Sequence, residues 1–379
     1  MLGVRGLGEA PLPVVIAGDQ WVEGATVERL VEVWNLAAPP AQRSYDLAIV
    51  GAGPAGLAAA VYSASDGLST VVIEREVAGG QASHTSLIEN FFGFPGGIGG
   101  AELARLAGRQ AEGFGAELVF LRGVTGSRLA GEGAFILELE GGHEIEARVV
   151  ISAPGMVWRR LEVEGVDELL ERGVYYGAGR SEAGQCSGEH VAVVGAGNSA
   201  GQAVMHFANA GAQVTMLVRG DDLGRSMSAY LVDRIAAHPL IDVRLRTQVA
   251  AVEGDGTKLT AVTVTQAGGR SERLAVQSLF LCLGGVPRTG WAPENGVAID
   301  RAGFVLTGSD LLDRGKRPDG WPLERDPLAL ETSVPGVFVA GDARHGSTKR
   351  VGGAVGEGAM AAALVHRRMD ELDGLQPPG

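Results

Sequence analysis

Apolar and polar positions along this chain repeat one pattern twice. From Tyr45 the sequence reads YDLAIVGAGPAGLAAAVYSASDGLSTVVIERE: an apolar run, a glycine cluster, an alanine-rich stretch and a second apolar run closed by an acid. That order predicts a strand, a tight turn, a helix and a parallel second strand, a βαβ unit. From His190 the same order returns as HVAVVGAGNSAGQAVMHFANAGAQVTMLVRG, and here the second strand ends at Arg219. A third block, VPGVFVAGDARHGSTKRVGGAVGEGAMA at 334–361, predicts a strand ending on Gly341 and Asp342, a polar loop and a small-residue helix. Ahead of the first unit, residues 1–43 predict a short strand at 13–18, an amphipathic helix at 25–36 and a proline-bearing linker. A piece of that size builds no core of its own and is expected to pack as an arm.

Composition narrows the picture. The 379 residues suggest about two domains. A hydrophobic share of 45% against 20% charged excludes a disordered chain. The 59 glycines call for many tight turns and close backbone approaches. A net charge of −13 without a basic run makes nucleic acid and an anionic membrane poor partners. With neither a run of about 20 apolar residues nor the blocks of a signal peptide, a soluble cytoplasmic protein is expected. Cys186 and Cys282 are the two cysteines, too few for a disulfide framework or a thiolate metal cluster, and no metal is expected.

The glycine clusters carry the chemistry. In the first unit Gly51 makes the tight turn, Gly53 lets a diphosphate approach the backbone, and Gly56 lets helix and strand pack closely. Pro54 and Ala55 open the helix, whose positive N-terminus favours the phosphates, and Glu74 can bind ribose hydroxyls. In the second unit Gly195, Gly197 and Ala200 hold the three small positions, with Asn198 and Ser199 between them. Arg219 stands where the first unit has Glu74. An acid there accepts from a free 2′-hydroxyl, whereas a guanidinium suits a 2′-phosphate, so this unit favours NADP over NAD, with Arg225 nearby as a second donor. Two dinucleotide folds in one chain imply electrons passing between two cofactors.

These residues, together with AGGQASHTSLIENFFGFPGGIGGAEL at 78–103, SAPG at 152–155 and TSVPGVFVAGD at 332–342, carry a family resemblance. Over about 44–370 the chain resembles the low-molecular-weight thioredoxin reductases of the pyridine nucleotide disulfide oxidoreductase group. The resemblance implies an α/β fold of two Rossmann-like, three-layer ββα nucleotide-binding domains, with the NAD(P)H domain inserted into a split FAD domain. The FAD domain would be 44–154 plus 286–379 and the NAD(P)H domain 160–282, with hinges near 155–159 and 283–285. Residues 1–43 compare with the last strand and helix of a thioredoxin-like module. FAD would take Gly51, Gly53, Pro54, Ala55, Gly56, Glu74, Arg75, Gly80, Gln81, Asn90, Ala153, Gly341 and Asp342. Lys349, Arg350 and Val351, at the start of the last helix, would sit by the flavin. NADPH would take Gly195, Gly197, Asn198, Ser199, Ala200, Arg219 and Arg225. A homodimer is implied as well.

The sequence also leaves that pattern. The two cysteines that the family carries before its second glycine turn fall on Gly177 and Arg180, so no side chain is assigned a catalytic role. Without a dithiol, reduced flavin has no thiol–disulfide relay, and electrons must leave to an external acceptor, whether protein or small molecule. An electron-transfer reductase for ferredoxin or flavodoxin and a non-catalytic flavin sensor or subunit are the alternatives. The family's two adjacent arginines are here Arg219-Gly220, which keeps NAD open as the nucleotide. The polar segment 309–331 reads as a surface loop, with Trp291 or Trp321 lining an interface.

Overall fold

A computed structural model describes residues 13–375 apart from 18–19, 26–28, 31–32, 35–36, 86–87, 89, 131–132, 171 and 178–179. The chain divides into two compact units, one of residues 1–157 and 287–379 and the other of 158–286.

The split unit is built on a mixed sheet. Its strands run in the order Glu117–Val119, Thr70–Ile73, Ser44–Val50, His143–Ser152, Ala134–Leu139 and Val124–Ala130, and Val337–Val339 also pairs with His143–Ser152. The first four pair in parallel, and Val337–Val339 is parallel too. The parallel strands are apolar on both faces, as strands covered on two sides must be: Leu47, Ile49, Val71, Val72 and Ile151 are all fully buried. The other two strands form an antiparallel meander with the start of His143–Ser152. Helices Pro54–Ser65, Gly100–Gly113 and Val351–Leu372 cover the sheet. Two of them pack backbone to backbone, because a Cβ at Gly358 would overlap the Ala55 carbonyl oxygen.

The continuous unit has a five-stranded parallel sheet in the order Val174–Tyr176, Ser278–Leu281, His190–Val194, Gln213–Leu217 and Ile241–Arg244. Helices Arg180–Gln185, Asn198–Asn209 and Ala229–Ala236 accompany it, with an antiparallel sheet of Thr247–Gly254, Leu259–Gln266 and Ser271–Ala275. Phe280 anchors its core, 4.3 Å from Phe207 and 5.2 Å from Tyr175 between ring centres.

At the N-terminus the expected strand is Val15–Ala17, and it forms an antiparallel hairpin with Gln20–Val22 that the sequence reading lacked. Of the helix expected over 25–36, residues 29, 30 and 33 are helical, while 26–28, 31–32 and 35–36 lie outside the described residues. The segment 309–331 departs from a plain surface loop. Its last residues are buried, with Leu328 and Leu330 in the core and Glu331 fully enclosed. Glu331 accepts from Arg325 at 2.6 and 3.1 Å and from the backbone N–H groups of Leu328 and Gly336. Arg325 reaches onward to Glu371 on the last helix, so a charge network that spacing does not reveal pins the segment down.

Candidate nucleotide sites

In the split unit the strand Ser44–Val50 runs into the first glycine turn. Gly51 adopts φ +105°, a left-handed value that favours glycine, and a Cβ there would overlap the Ala153 carbonyl oxygen. Gly56 has no room either, because its Cβ would fall on the Gly51 carbonyl. Gly53 is the opposite case: nothing lies within 4 Å of where its Cβ would be. It caps the helix Pro54–Ser65, whose N-terminus no side chain covers. An open space in front of uncapped helical amides is a cradle of the kind a diphosphate fills.

Glu74 closes the turn from the second strand. Its oxygens accept from the N–H groups of Ala52 at 2.8 Å and Glu76 at 2.9 Å, which fixes the carboxylate and leaves its remaining lone pairs for ribose hydroxyls. Gly79 donates to the Ala52 oxygen at 2.8 Å, and the short 3-10 helix Gly80–His84 follows. Gly80 is thereby brought beside Gly53, the position of its Cβ lying 3.4 Å from the Gly53 Cα, and Gln81 follows it in the 3-10 helix. Ala153 donates to the Val50 oxygen at 2.7 Å and so lines the same turn.

The C-terminal block converges on the same helix. A Cβ at Gly341 would lie 3.0 Å from that of Ala55. The neighbouring Asp342 is half-buried, and its carboxylate accepts no hydrogen bond from the described residues. Burial pushes its carboxyl above the ordinary value against the pull of the Lys349 charge. An unpartnered carboxylate in that position fits the hydroxyls of a ribityl chain. Lys349, with φ +52°, folds back so that its Nζ donates to the Asp342 carbonyl at 2.5 Å and sits 4.1 Å from the centre of the Phe304 ring. Burial lowers its ammonium from the ordinary range, with Asp342 opposing. Arg350 is exposed and caps the helix that begins at Val351.

Two predicted residues stand apart from this convergence. Arg75 is turned to Glu140, at 3.0 Å, and Asn90 is exposed on a shallow aromatic cup with Phe91, Phe92 and Phe94. Sequence reasoning missed Glu357, on the last helix, which accepts from the Gly341 N–H and from Arg344, both at 2.7 Å. A lone acid in a small-residue helix gives no signal of such a role.

The continuous unit repeats the cradle. A Cβ at Gly195, φ +150°, would lie 2.5 Å from the Cys282 oxygen, while one at Gly197 would meet nothing nearer than the Ser226 oxygen at 4.0 Å. Gly197 caps the helix Asn198–Asn209, again without a capping side chain. Asn198 accepts from the Ser228 N–H at 2.8 Å, and the Ser226 hydroxyl donates to the Ala196 oxygen at 2.9 Å, so the loop after Arg219 is tied to the turn. Ser199 is exposed and Ala200 buried. Arg219 is exposed, and Arg225 faces Asp221 at 3.5 Å.

Cysteine chemistry is absent where a dithiol would be expected. Gly177, φ +79°, donates to the Leu281 oxygen, 178–179 lie outside the described residues, and Arg180 begins a six-residue helix. Neither cysteine is in a disulfide: Cys186 is buried, and burial pushes the Cys282 thiol up to about 11. Among the described residues no group of three or more His, Cys, Asp or Glu could hold a metal, and no helix is long and apolar enough to cross a membrane.

Comparison with known proteins matches residues 45–358 to the family described as pyridine nucleotide-disulphide oxidoreductase. The chain is 33% identical over 344 residues to the thioredoxin reductase of Treponema pallidum, covering 87% of this chain and 99% of that one. It is 31% identical over 332 residues to the thioredoxin reductase of Bacillus subtilis, covering 87% and 96%. Among solved structures it is similar to thioredoxin reductase from Streptococcus pyogenes, with 29% identity, a TM-score of 0.68, and coverage of 87% and 99%.

Proposed function

Since the chain belongs to the pyridine nucleotide-disulphide oxidoreductase family, we propose that it is an FAD-dependent NADPH oxidoreductase that delivers electrons to an external acceptor without an internal dithiol. Thioredoxin reductases use FAD and NADPH as cofactors, and both cradles described above have the shape for a dinucleotide. The observation that carries the reading is the pair of uncapped glycine turns in a chain whose two cysteines stand outside the dithiol positions.

In this reading the turn at Gly53 to Gly56 binds the FAD diphosphate through helical amides, and Glu74 orients the adenosine ribose. Asp342 takes ribityl hydroxyls, held in place by the Glu357 contact to the Gly341 N–H. Arg350 and the start of the last helix place positive potential beside the ring's binding place, which favours an anionic reduced cofactor. Bound FAD supplies the two-electron chemistry that no side chain of the chain provides. Gly197, Asn198 and Ala200 hold the NADPH diphosphate, and Arg219 its 2′-phosphate.

Rapid mixing of the yellow holoprotein with NADPH is expected to bleach the flavin band within about seconds, the range of ordinary turnover. The same preparation should leave small disulfides and oxidised thioredoxin unreduced. Efficient disulfide reduction would overturn the dithiol-free reading, and a flavin band unmoved by NADPH or NADH would favour a sensor. Steady oxygen uptake, or cytochrome reduction only when ferredoxin or flavodoxin is added, would then identify the class of acceptor.

A further inference from the structure

We infer that Arg246 supplies the second guanidinium for the 2′-phosphate of NADPH, taking over from the arginine that Gly220 displaces; the inference rests on the reading of the continuous unit as an NADP domain. Arg219 lies in the bend two residues past the strand Gln213–Leu217, the region where a dinucleotide fold recognises the adenosine ribose. The chain just past it is held from one side by the 244–247 turn. Val218 donates to the Arg244 oxygen at 3.0 Å, Thr247 donates to the Val218 oxygen at 2.9 Å, and Arg246 donates to the Gly220 oxygen at 2.8 Å. Arg246 is therefore a backbone neighbour of the position that lacks a side chain.

Its conformation marks it out. Arg246 has φ +52°, a left-handed value that an arginine adopts at a cost. It is fixed there from both sides, because its own oxygen accepts from Ala267 at 2.9 Å. The side chain is exposed, and neither Arg219 nor Arg246 has an ion-pair partner among the described residues. The nearby arginines are engaged. Arg244 pairs with Asp242 at 2.7 Å and Glu272 at 2.8 Å, and Arg225 faces Asp221. Two unpaired guanidinium groups on adjoining backbone suit a dianionic phosphate ester, which takes charge-assisted hydrogen bonds from both.

The test measures binding, not turnover. Affinities of the holoprotein for NADP+ and NAD+ are read by titration calorimetry in wild type, Arg219→Gln, Arg246→Asn and Arg246→Lys. Asparagine accepts the left-handed conformation, so Arg246→Asn removes the charge while keeping the turn. It should weaken NADP+ roughly 10-fold or more, the loss expected of one charged hydrogen bond, and leave NAD+ unchanged, with Arg246→Lys in between. If Arg246→Asn binds NADP+ like wild type while Arg219→Gln does not, the assignment of Arg246 falls and the NADP domain stands. If wild type shows no preference for NADP+ over NAD+, both fall together.

Discussion

At the scale of single residues, the glycines of the first turn divide into those that the fold requires and one, Gly53, whose side faces open space. Gly56→Ala would push a methyl group into the Gly51 carbonyl and should cost more than about 2 kcal/mol of stability, read as a lowered urea midpoint. Gly53→Ala meets open space at φ −72°, so the apoprotein should melt as wild type within about 0.5 kcal/mol. FAD retention, measured by flavin fluorescence after gel filtration, should nevertheless fall sharply, because on the proposed function the added methyl would occupy the diphosphate's place. Cys282 offers a pH test. Its thiol is raised by burial to about 11, so the folded state keeps a proton that the unfolded chain loses earlier. The contribution is full below the unfolded value and is lost as pH rises through about 11. Alkylation of Cys282 in the native protein should be slow near neutrality and accelerate only at strongly alkaline pH. The tight turn at Gly51 and the close packing at Gly56 were legible in the sequence because glycine spacing points to them. Glu74 was legible by type, but its two backbone bonds were not, since those depend on how the turn folds over it.

Among elements, the segment 309–331 and the last helix form one electrostatic unit. Arg325 donates to Glu331 and Glu371, and Arg368 donates to Glu371 at 2.9 Å. Burial would raise the Glu371 carboxyl, but the bonds from Arg325 and Arg368 outweigh it and lower the value. The clamp is therefore present above the ordinary carboxylate value and lost as pH falls through the lowered one. Arg325→Leu leaves Glu331 charged and enclosed without its partner, and about 3 kcal/mol of stability should go, seen in denaturant unfolding at neutral pH. Polar residues and prolines made this stretch read as a loop, because no periodic pattern distinguishes a solvated arginine from one threaded between two acids. The strands and helices of both glycine units, by contrast, have strong periodicity and occur in the expected order, although the strand expected to end at Arg219 stops at Leu217. The N-terminal hairpin was missed because three-residue strands carry too little pattern to see.

For the whole molecule, each hydrophobic cluster draws its members from one unit alone. Residues 158–286, expressed by themselves, should unfold in a single cooperative transition and still bind NADP+ by calorimetry. A fragment that stays molten would show that the cluster boundaries mislead. The doubled glycine pattern is plain in the sequence, whereas the electron acceptor is not, since a bound cofactor can pass electrons on without a dedicated side chain. The close packing of Gly358 against Ala55 bears on how the protein is made. The principal core of the split unit needs residues near 47 and near 369 together. During synthesis the middle of the chain leaves the ribosome able to fold while the earlier segment waits for its closing helix. If FAD takes the proposed site, it loads only once that helix has emerged, and a chain truncated before residue 351 should be colourless with residues 158–286 still folded.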